Sequence, residues 1–272
     1  MFAFQLGAAV KPSTLGSDKA EALVKLAKTL TKQGYMYLLV DSEREGNDPS
    51  CEDISAVVQL CKAEGLCTPV FTLPVRRRDF RNRFQAVLKS LADEDFGGLC
   101  LVAGNPAYLS GEELKVRAGP LILEAASRFR EKAKDLTLFV GSENMLKISR
   151  VAALLYKAIP LALLGPKLEE EREILSASNG NFGVYVPYYV GEGCRDAWER
   201  LSAYVKRRNT NLRLEEAVHA YGLYGDLKYI TGRIKYLEKI SVGQVFGYPL
   251  VPSEQQLALF ASVFEHLPRA PP

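Results

Sequence analysis

The chain has 272 residues, of which 47% are hydrophobic and 25% are charged, and its formal net charge at pH 7 is +3. This apolar content is enough for one large core. Acidic and basic residues are interleaved, so the sequence does not indicate a basic surface that would bind nucleic acid. The apolar amino terminus is too short for a membrane span and lacks the charged leader of a signal peptide. Five cysteines without a CxxC pair, and only two histidines, disfavour a metal site and favour a reducing cytoplasm.

Short apolar runs alternate with amphipathic segments along the chain, which predicts repeated strand–helix units. We predict eight strands, over residues 2–10, 35–41, 66–72, 97–104, 136–141, 159–164, 182–190 and 242–247. The predicted helices cover residues 18–33, 50–64, 79–91, 112–134, 144–156, 168–176, 194–208, 214–223, 226–239 and 254–266. Eight strands that alternate with helices favour an α/β fold, a single (β/α)8 barrel over residues 1–272, rather than a doubly wound sheet.

Polar residues mark several predicted helix starts. Ser17, Ser50, Asn144 and Ser253 stand where an amino-terminal cap is expected, and Asp53 completes a capping box with Ser50. We also expect the helix over 112–134 to break near its internal Gly-Pro pair.

In a barrel of this kind, the side chains at the carboxyl ends of the strands face the site. Glu43 and Glu143 are candidate general acids if burial raises their pKa, and the alternative is that they cap helices. The turns over 141–144 and 247–253 can hold a phosphate through backbone N–H groups, although glycine is also common there for its backbone freedom alone. Tyr185, Tyr188 and Tyr189 near the end of the seventh strand can line a pocket for a flat aromatic ligand.

The carboxyl-terminal quarter carries two longer motifs, Tyr224-Gly-Asp-Leu-Lys-Tyr-Ile-Thr-Gly-Arg-Ile-Lys-Tyr-Leu and Val242-Gly-Gln-Val-Phe-Gly-Tyr-Pro-Leu-Val-Pro. Further motifs lie over 34–41, 71–76, 98–104 and 184–190. In this order they resemble the bacterial-luciferase-like superfamily of flavin and deazaflavin oxidoreductases, nearest to methylenetetrahydromethanopterin reductases. The resemblance covers nearly the whole chain.

The resemblance implies hydride transfer between a deazaflavin (coenzyme F420) or flavin (FMN) and a small or pterin-like substrate. It also implies a cytoplasmic homodimer of archaeal style, and an unusual non-proline cis peptide occurs in some relatives near the third strand end. The cofactor contacts that it implies, with Gly247 added from the predicted turn, are Asp41, Ser42, Val70, Phe71, Thr72, Gly104, Asn105, Gly141, Ser142, Asn144 and Gly247.

The sequence departs from the relatives at three places. Gly7 stands where they carry a glutamate near the end of the first strand, and Ser42-Glu43-Arg44 lacks their histidine. The loop over 141–144 is shorter than theirs, and the charge of Glu143 repels a phosphate. Two alternatives therefore remain: a barrel that binds a reduced nicotinamide without a flavin, and a non-catalytic barrel that has lost its cofactor site.

Overall fold

The computed structural model describes residues 4–43, 46–176, 182–208 and 211–265. In this part of the chain, one parallel sheet contains β1 (Gln5–Val10), β2 (Tyr37–Val40), β3 (Thr68–Pro74), β4 (Gly98–Val102), β5 (Thr137–Gly141), β6 (Ile159–Leu163), β7 (Phe182–Val190), β8 (Leu223–Gly225) and β9 (Val242–Pro249).

Eight of these strands close into a barrel. Each strand from β1 to β7 pairs with the next, β7 also pairs with β9, and β9 returns to β1. This confirms the predicted (β/α)8 fold. The short strand β8 pairs with the carboxyl end of β7 outside the closed ring. Its first residue lies in the segment 214–223 that we predicted as helix, so that boundary was wrong.

The helices of the described residues are α1 (Lys19–Lys32), α2 (Cys51–Ala63), α3 (Phe80–Ala92), α4 (Gly111–Lys115), α5 (Ala118–Lys132), α6 (Leu146–Tyr156), α7 (Leu168–Leu175), α8 (Arg195–Lys206), α9 (Leu214–Tyr221), α10 (Leu227–Lys239) and α11 (Glu254–Ser262). Two short 3-10 helices cover Pro12–Thr14 and Pro106–Tyr108. None of the helices in the described ranges is long and apolar enough to cross a membrane.

The predicted caps have mixed outcomes. Ser50 and Asp53 form the capping box of α2, and the Ser253 hydroxyl accepts a hydrogen bond from the backbone of α11. The cap of α1 is Asp18 rather than its neighbour Ser17. Asn144 is not a cap, because α6 begins two residues later and Asn144 adopts a left-handed φ of 55°. The predicted break separates α4 from α5, but it precedes the Gly-Pro pair, which lies in the first turn of α5 where proline is tolerated.

Apolar side chains fill the inside of the barrel, separately from the larger layer between strands and helices. Phe246 is central to this inner cluster, and its ring meets the ring of Phe139 edge-on at 5.1 Å. Gly7 makes room for it, since a Cβ at position 7 would lie 2.5 Å from Phe246 Cδ1. The glycine in β1 therefore reflects the close packing of the barrel interior.

Candidate active site

Asp41 follows β2 at the carboxyl end of the barrel, which we call the mouth. Its backbone N–H continues the ladder to the Val10 carbonyl at 2.9 Å, and its Oδ1 accepts a hydrogen bond from the Ser42 amide at 2.9 Å. Burial raises the pKa of Asp41 to about 6, against the opposing effects of the Lys11 charge and the Ser42 hydrogen bond. A carboxyl group with this pKa exchanges a proton near neutral pH.

Three tyrosines surround this carboxyl group. The rings of Tyr185 and Tyr248 stack with centroids 6.3 Å apart, and Lys11 Nζ lies 5.3 Å from the Tyr248 centroid. Burial raises the pKa of Tyr204 to about 12, and burial together with the charge of Asp41 raises that of Tyr185. All three hydroxyls therefore stay protonated at neutral pH and can donate hydrogen bonds.

Two hydroxyl groups of the mouth are buried without a hydrogen-bond partner of standard geometry in the described part of the chain, Thr72 Oγ1 and Tyr204 Oη. Thr72 is aligned with Cys100 on the next strand, and the Cys100 thiol is its polar neighbour. Burial raises the pKa of that thiol, so it is not a thiolate nucleophile. Arg208 is likewise the polar neighbour of the Tyr204 hydroxyl. Because neither contact has standard hydrogen-bond geometry, both hydroxyls can pair with a polar ligand atom.

Glu143 forms an ion pair with Arg208, whose guanidinium lies 4.4 Å from the Tyr204 ring centroid. The Glu143 side chain is 53% exposed. Its carboxylate is therefore accessible to water and engaged by a cation, which is a poor setting for a general acid.

Ser42 and Glu43 belong to a buried polar network in the loops at the mouth. The Ser42 hydroxyl donates to Asp48 Oδ2 at 2.8 Å, and Arg77 Nη1 donates to the same oxygen at 2.5 Å. Glu43 accepts a hydrogen bond from the Ser13 amide at 2.7 Å. These contacts hold the loops after β1, β2 and β3 together, so both residues have structural partners.

The loop over 141–144 keeps its polar groups largely within the protein. The amide and the hydroxyl of Ser142 both donate to the Leu161 carbonyl, at 2.9 and 3.3 Å. A Cβ at Gly141 would lie 3.0 Å from Val102 Cγ1, so this glycine packs closely against β4. The helix that follows, α6, has no side-chain cap. The ion pair between the exposed Glu143 and the partly buried Arg208 lies at this loop.

The loop after β4 is a turn fixed by backbone conformation and by a side-chain hydrogen bond. Gly104 has a φ of 106°, and a Cβ there would lie 3.0 Å from Leu109 Cδ1. Asn105 Oδ1 accepts a hydrogen bond from the Ala107 amide at 3.0 Å and caps the short 3-10 helix. Both residues therefore shape the rim of the mouth.

Two predicted contact residues face away from the mouth. The side chain of Phe71 packs in the outer layer, whereas its neighbours Val70 and Thr72 point into the barrel or its mouth. Gly247 lies inside β9, which continues to Pro249, so our prediction that the strand ends at Gly247 was wrong. A Cβ there would lie 2.5 Å from Phe260 Cε1, on the side of α11. The described peptide bonds are all trans.

Sequence reasoning missed three residues of the mouth. Lys11 directly follows β1, so the rule of strand ends was sufficient to find it. Tyr204 lies on α8 and Arg208 just beyond it, and no strand-end signal points to them. No group of three or more His, Cys, Asp or Glu side chains in the described ranges is placed to hold a metal ion.

Three solved structures share this fold at low sequence identity. A coenzyme F420-dependent secondary alcohol dehydrogenase with a bound F420–acetone adduct is 12% identical, with a TM-score of 0.67 over 97% of this chain and 98% of that chain. A coenzyme F420-dependent tetrahydromethanopterin reductase from Methanopyrus kandleri is 14% identical, with a TM-score of 0.70 over 96% and 97%. The oxygenating constituent of 3,6-diketocamphane monooxygenase from Pseudomonas putida, in complex with FMN, is 11% identical, with a TM-score of 0.61 over 95% and 97%.

At these identities the similarity shows the fold, and it agrees with the (β/α)8 barrel that the sequence predicts. No curated protein matches the sequence significantly. Residues 20–256 match the profile of DUF7388, described as a family of unknown function. The chain therefore belongs to the DUF7388 family.

Proposed function

We propose that the mouth of the barrel binds a flavin or deazaflavin and that the protein is an oxidoreductase acting on a small molecule. The observation that carries the proposal is the pair of buried hydroxyls of Thr72 and Tyr204, which have polar neighbours in Cys100 and Arg208 but no hydrogen bond of standard geometry, beside a carboxyl group of raised pKa. The two hydroxyls would hold the ring of such a cofactor by donating hydrogen bonds to its polar atoms. The fold shared with enzymes that bind F420 or FMN supports the same assignment.

Each residue of the mouth has a role that follows from its chemistry. Thr72 and Tyr204 orient the ring through their hydroxyls, and the stacked pair of Tyr185 and Tyr248 supplies an aromatic wall. Arg208 can exchange its partner Glu143 for an anionic group of the cofactor. When bound, the cofactor supplies the hydride chemistry, and the protein supplies position and electrostatics.

Asp41 is the residue that we assign to proton exchange. The position where the relatives carry a glutamate is Gly7, and the ring of Phe246 occupies the space that a side chain there needs. We therefore assign the acid to the residue after β2 rather than to β1. Its pKa of about 6 lets it either donate or accept a proton near neutral pH.

Titration calorimetry of the cofactor-free protein with coenzyme F420, FMN and reduced nicotinamides tests the proposal. We expect one flavin-type ligand to bind with micromolar affinity. Binding by a reduced nicotinamide alone would instead support a flavin-independent reductase. Absence of binding by every one of them would favour the barrel that has lost its cofactor site.

Two substitutions at Thr72 locate the site. Thr72→Trp fills the ring position, and we expect affinity to fall at least about 100-fold, whereas Thr72→Val removes one hydrogen bond and lowers affinity by roughly tenfold. Thr231→Val on the outer helix α10 is the matched control for Thr72→Val, because the Thr231 hydroxyl donates to the Leu227 carbonyl of its own helix. Unchanged affinity in a folded Thr72→Trp variant would show that the ring lies elsewhere.

The family resemblance extends the proposal to a homodimer in the cytoplasm. Sedimentation analysis of the purified protein tests the first part, and a monomer at micromolar concentration would exclude a stable dimer.

A further inference from the structure

A cavity of about 310 Å3 lies beside the mouth, between β1 and β9 on one side and α1 and α11 on the other. Small and apolar side chains form much of its wall, among them Ala8, Ala9, Ala22, Leu26 and Leu257. This volume is in the range of small-molecule sites, and at ~30 Å3 for each water-sized group it holds about ten non-hydrogen atoms.

Apart from two charged residues, the polar side chains of the wall carry neutral hydroxyls, and two of these have their own partners. The Thr14 hydroxyl donates to the Lys11 carbonyl at 2.7 Å, and the Ser253 hydroxyl accepts from the Gln256 amide at 3.1 Å. The two charged residues of the wall, Lys25 and Glu254, are exposed and opposite in sign. An ionised ligand group inside this cavity would therefore lose water without gaining a buried counter-charge.

Tyr248 takes part in the walls of both the cavity and the mouth. Its ring stacks on Tyr185 within the mouth, and it also borders the cavity. The residues proposed to hold a cofactor, Thr72, Tyr204 and Arg208, are not part of the cavity wall. The cavity is thus a separate space that adjoins the mouth across one aromatic ring.

We propose that this cavity is a binding site for a neutral, largely apolar small molecule of about ten non-hydrogen atoms. Apolar surface drives its binding, and the lack of a buried charge in the wall selects against charged ligands. The proposal does not depend on whether the mouth binds a cofactor.

Fluorine NMR of the cofactor-free protein tests the site, with 4-fluorobenzyl alcohol as the neutral probe and 4-fluorobenzoate as the charged one. We expect saturable line broadening of the alcohol and at least about tenfold weaker binding of the benzoate. Absence of saturable binding of the alcohol, or equal binding of the two probes, would overturn the proposal.

A filling substitution then places the probe. Ala22→Phe on α1 occupies the cavity, and we expect it to abolish saturable binding of the alcohol. Ala63→Phe makes the same change at an exposed position at the end of α2 and should leave binding unchanged. Thr29→Phe, on the same face of α1, replaces the first variant if that variant does not fold. Full binding by a folded filling variant would refute the assignment to this cavity.

Because these measurements use no cofactor, their outcome is separate from that of the calorimetric titration. A protein that fails to bind F420 or FMN can still bind the neutral probe in the cavity, and the reverse also holds.

Discussion

Replacing Gly7 by alanine tests whether the ring of Phe246 occupies the space that a side chain at position 7 of β1 would need. The added Cβ would lie 2.5 Å from Phe246 Cδ1 and 2.7 Å from Cε1, far inside the normal contact distance of carbon atoms of about 3.5–4 Å. Overpacking of this kind costs about 1–3 kcal/mol, whereas the loss of chain entropy in the unfolded state returns about 0.4–1 kcal/mol. We expect Gly7→Ala to lower the free energy of unfolding by about 1–2 kcal/mol.

Urea unfolding measures this change, and a double-mutant cycle assigns it. Phe246→Leu alone is expected to cost about 1–2 kcal/mol through lost packing. Because leucine leaves room for the new Cβ, the double variant should be more stable than the sum of the two single effects by at least about 1 kcal/mol.

Gly232→Ala is the control for the glycine substitution itself. This glycine lies inside α10, where a Cβ meets nothing within 4 Å, so the change should stabilise the protein by up to about 1 kcal/mol. Additive effects of Gly7→Ala and Phe246→Leu, or a Gly7→Ala variant as stable as the original protein, would refute the packing argument.

Two further predictions concern charged groups. Arg77→Met leaves Asp48, whose side chain is 2% exposed, without its main cation, and should cost about 3–5 kcal/mol in urea unfolding. Arg195→Met, which breaks an exposed ion pair with Glu199, should leave stability nearly unchanged. Equal losses of stability in the two variants would contradict the argument that the buried ion pair matters more than the exposed one. Because folding raises the pKa of Asp41 from 3.8 to about 6, this group favours the folded state below pH 4, and that contribution is lost as pH rises through 6. Asp41→Asn should therefore raise stability at pH 7 by roughly 2–3 kcal/mol and flatten the pH dependence between about 4 and 6, and an unchanged pH profile would contradict the raised pKa.

The barrel could be predicted because its signals are local. Apolar runs such as those of β4 and β5 are bounded by glycine or polar residues and repeat along the chain, and caps such as Ser50 depend on residues three positions apart. The short β8 escaped prediction because three residues carry no periodicity, and its pairing with β7 is a tertiary contact.

The mouth could be predicted in part. Asp41 and Thr72 follow from the rule that strand ends face the site. The partners of Ser42 and Glu43 did not follow, because Asp48 and Arg77 are brought to them by loop folding. The position of Gly247 depends on where β9 ends. The strand extends two residues beyond its predicted end, so Gly247 lies within the strand rather than at the start of the turn.

The proposed location of the acid depends on the packing of the barrel below it. Phe246 fills the interior beside β1, so no side chain larger than hydrogen fits at position 7 without movement of its ring. Asp41 directly follows the adjacent β2 at the mouth, and Lys11 holds a positive charge nearby. A carboxyl group on β1 thus requires a small residue at position 246. We expect any chain of this family with a longer side chain at position 7 to lack the aromatic ring at 246, since both cannot occupy one volume.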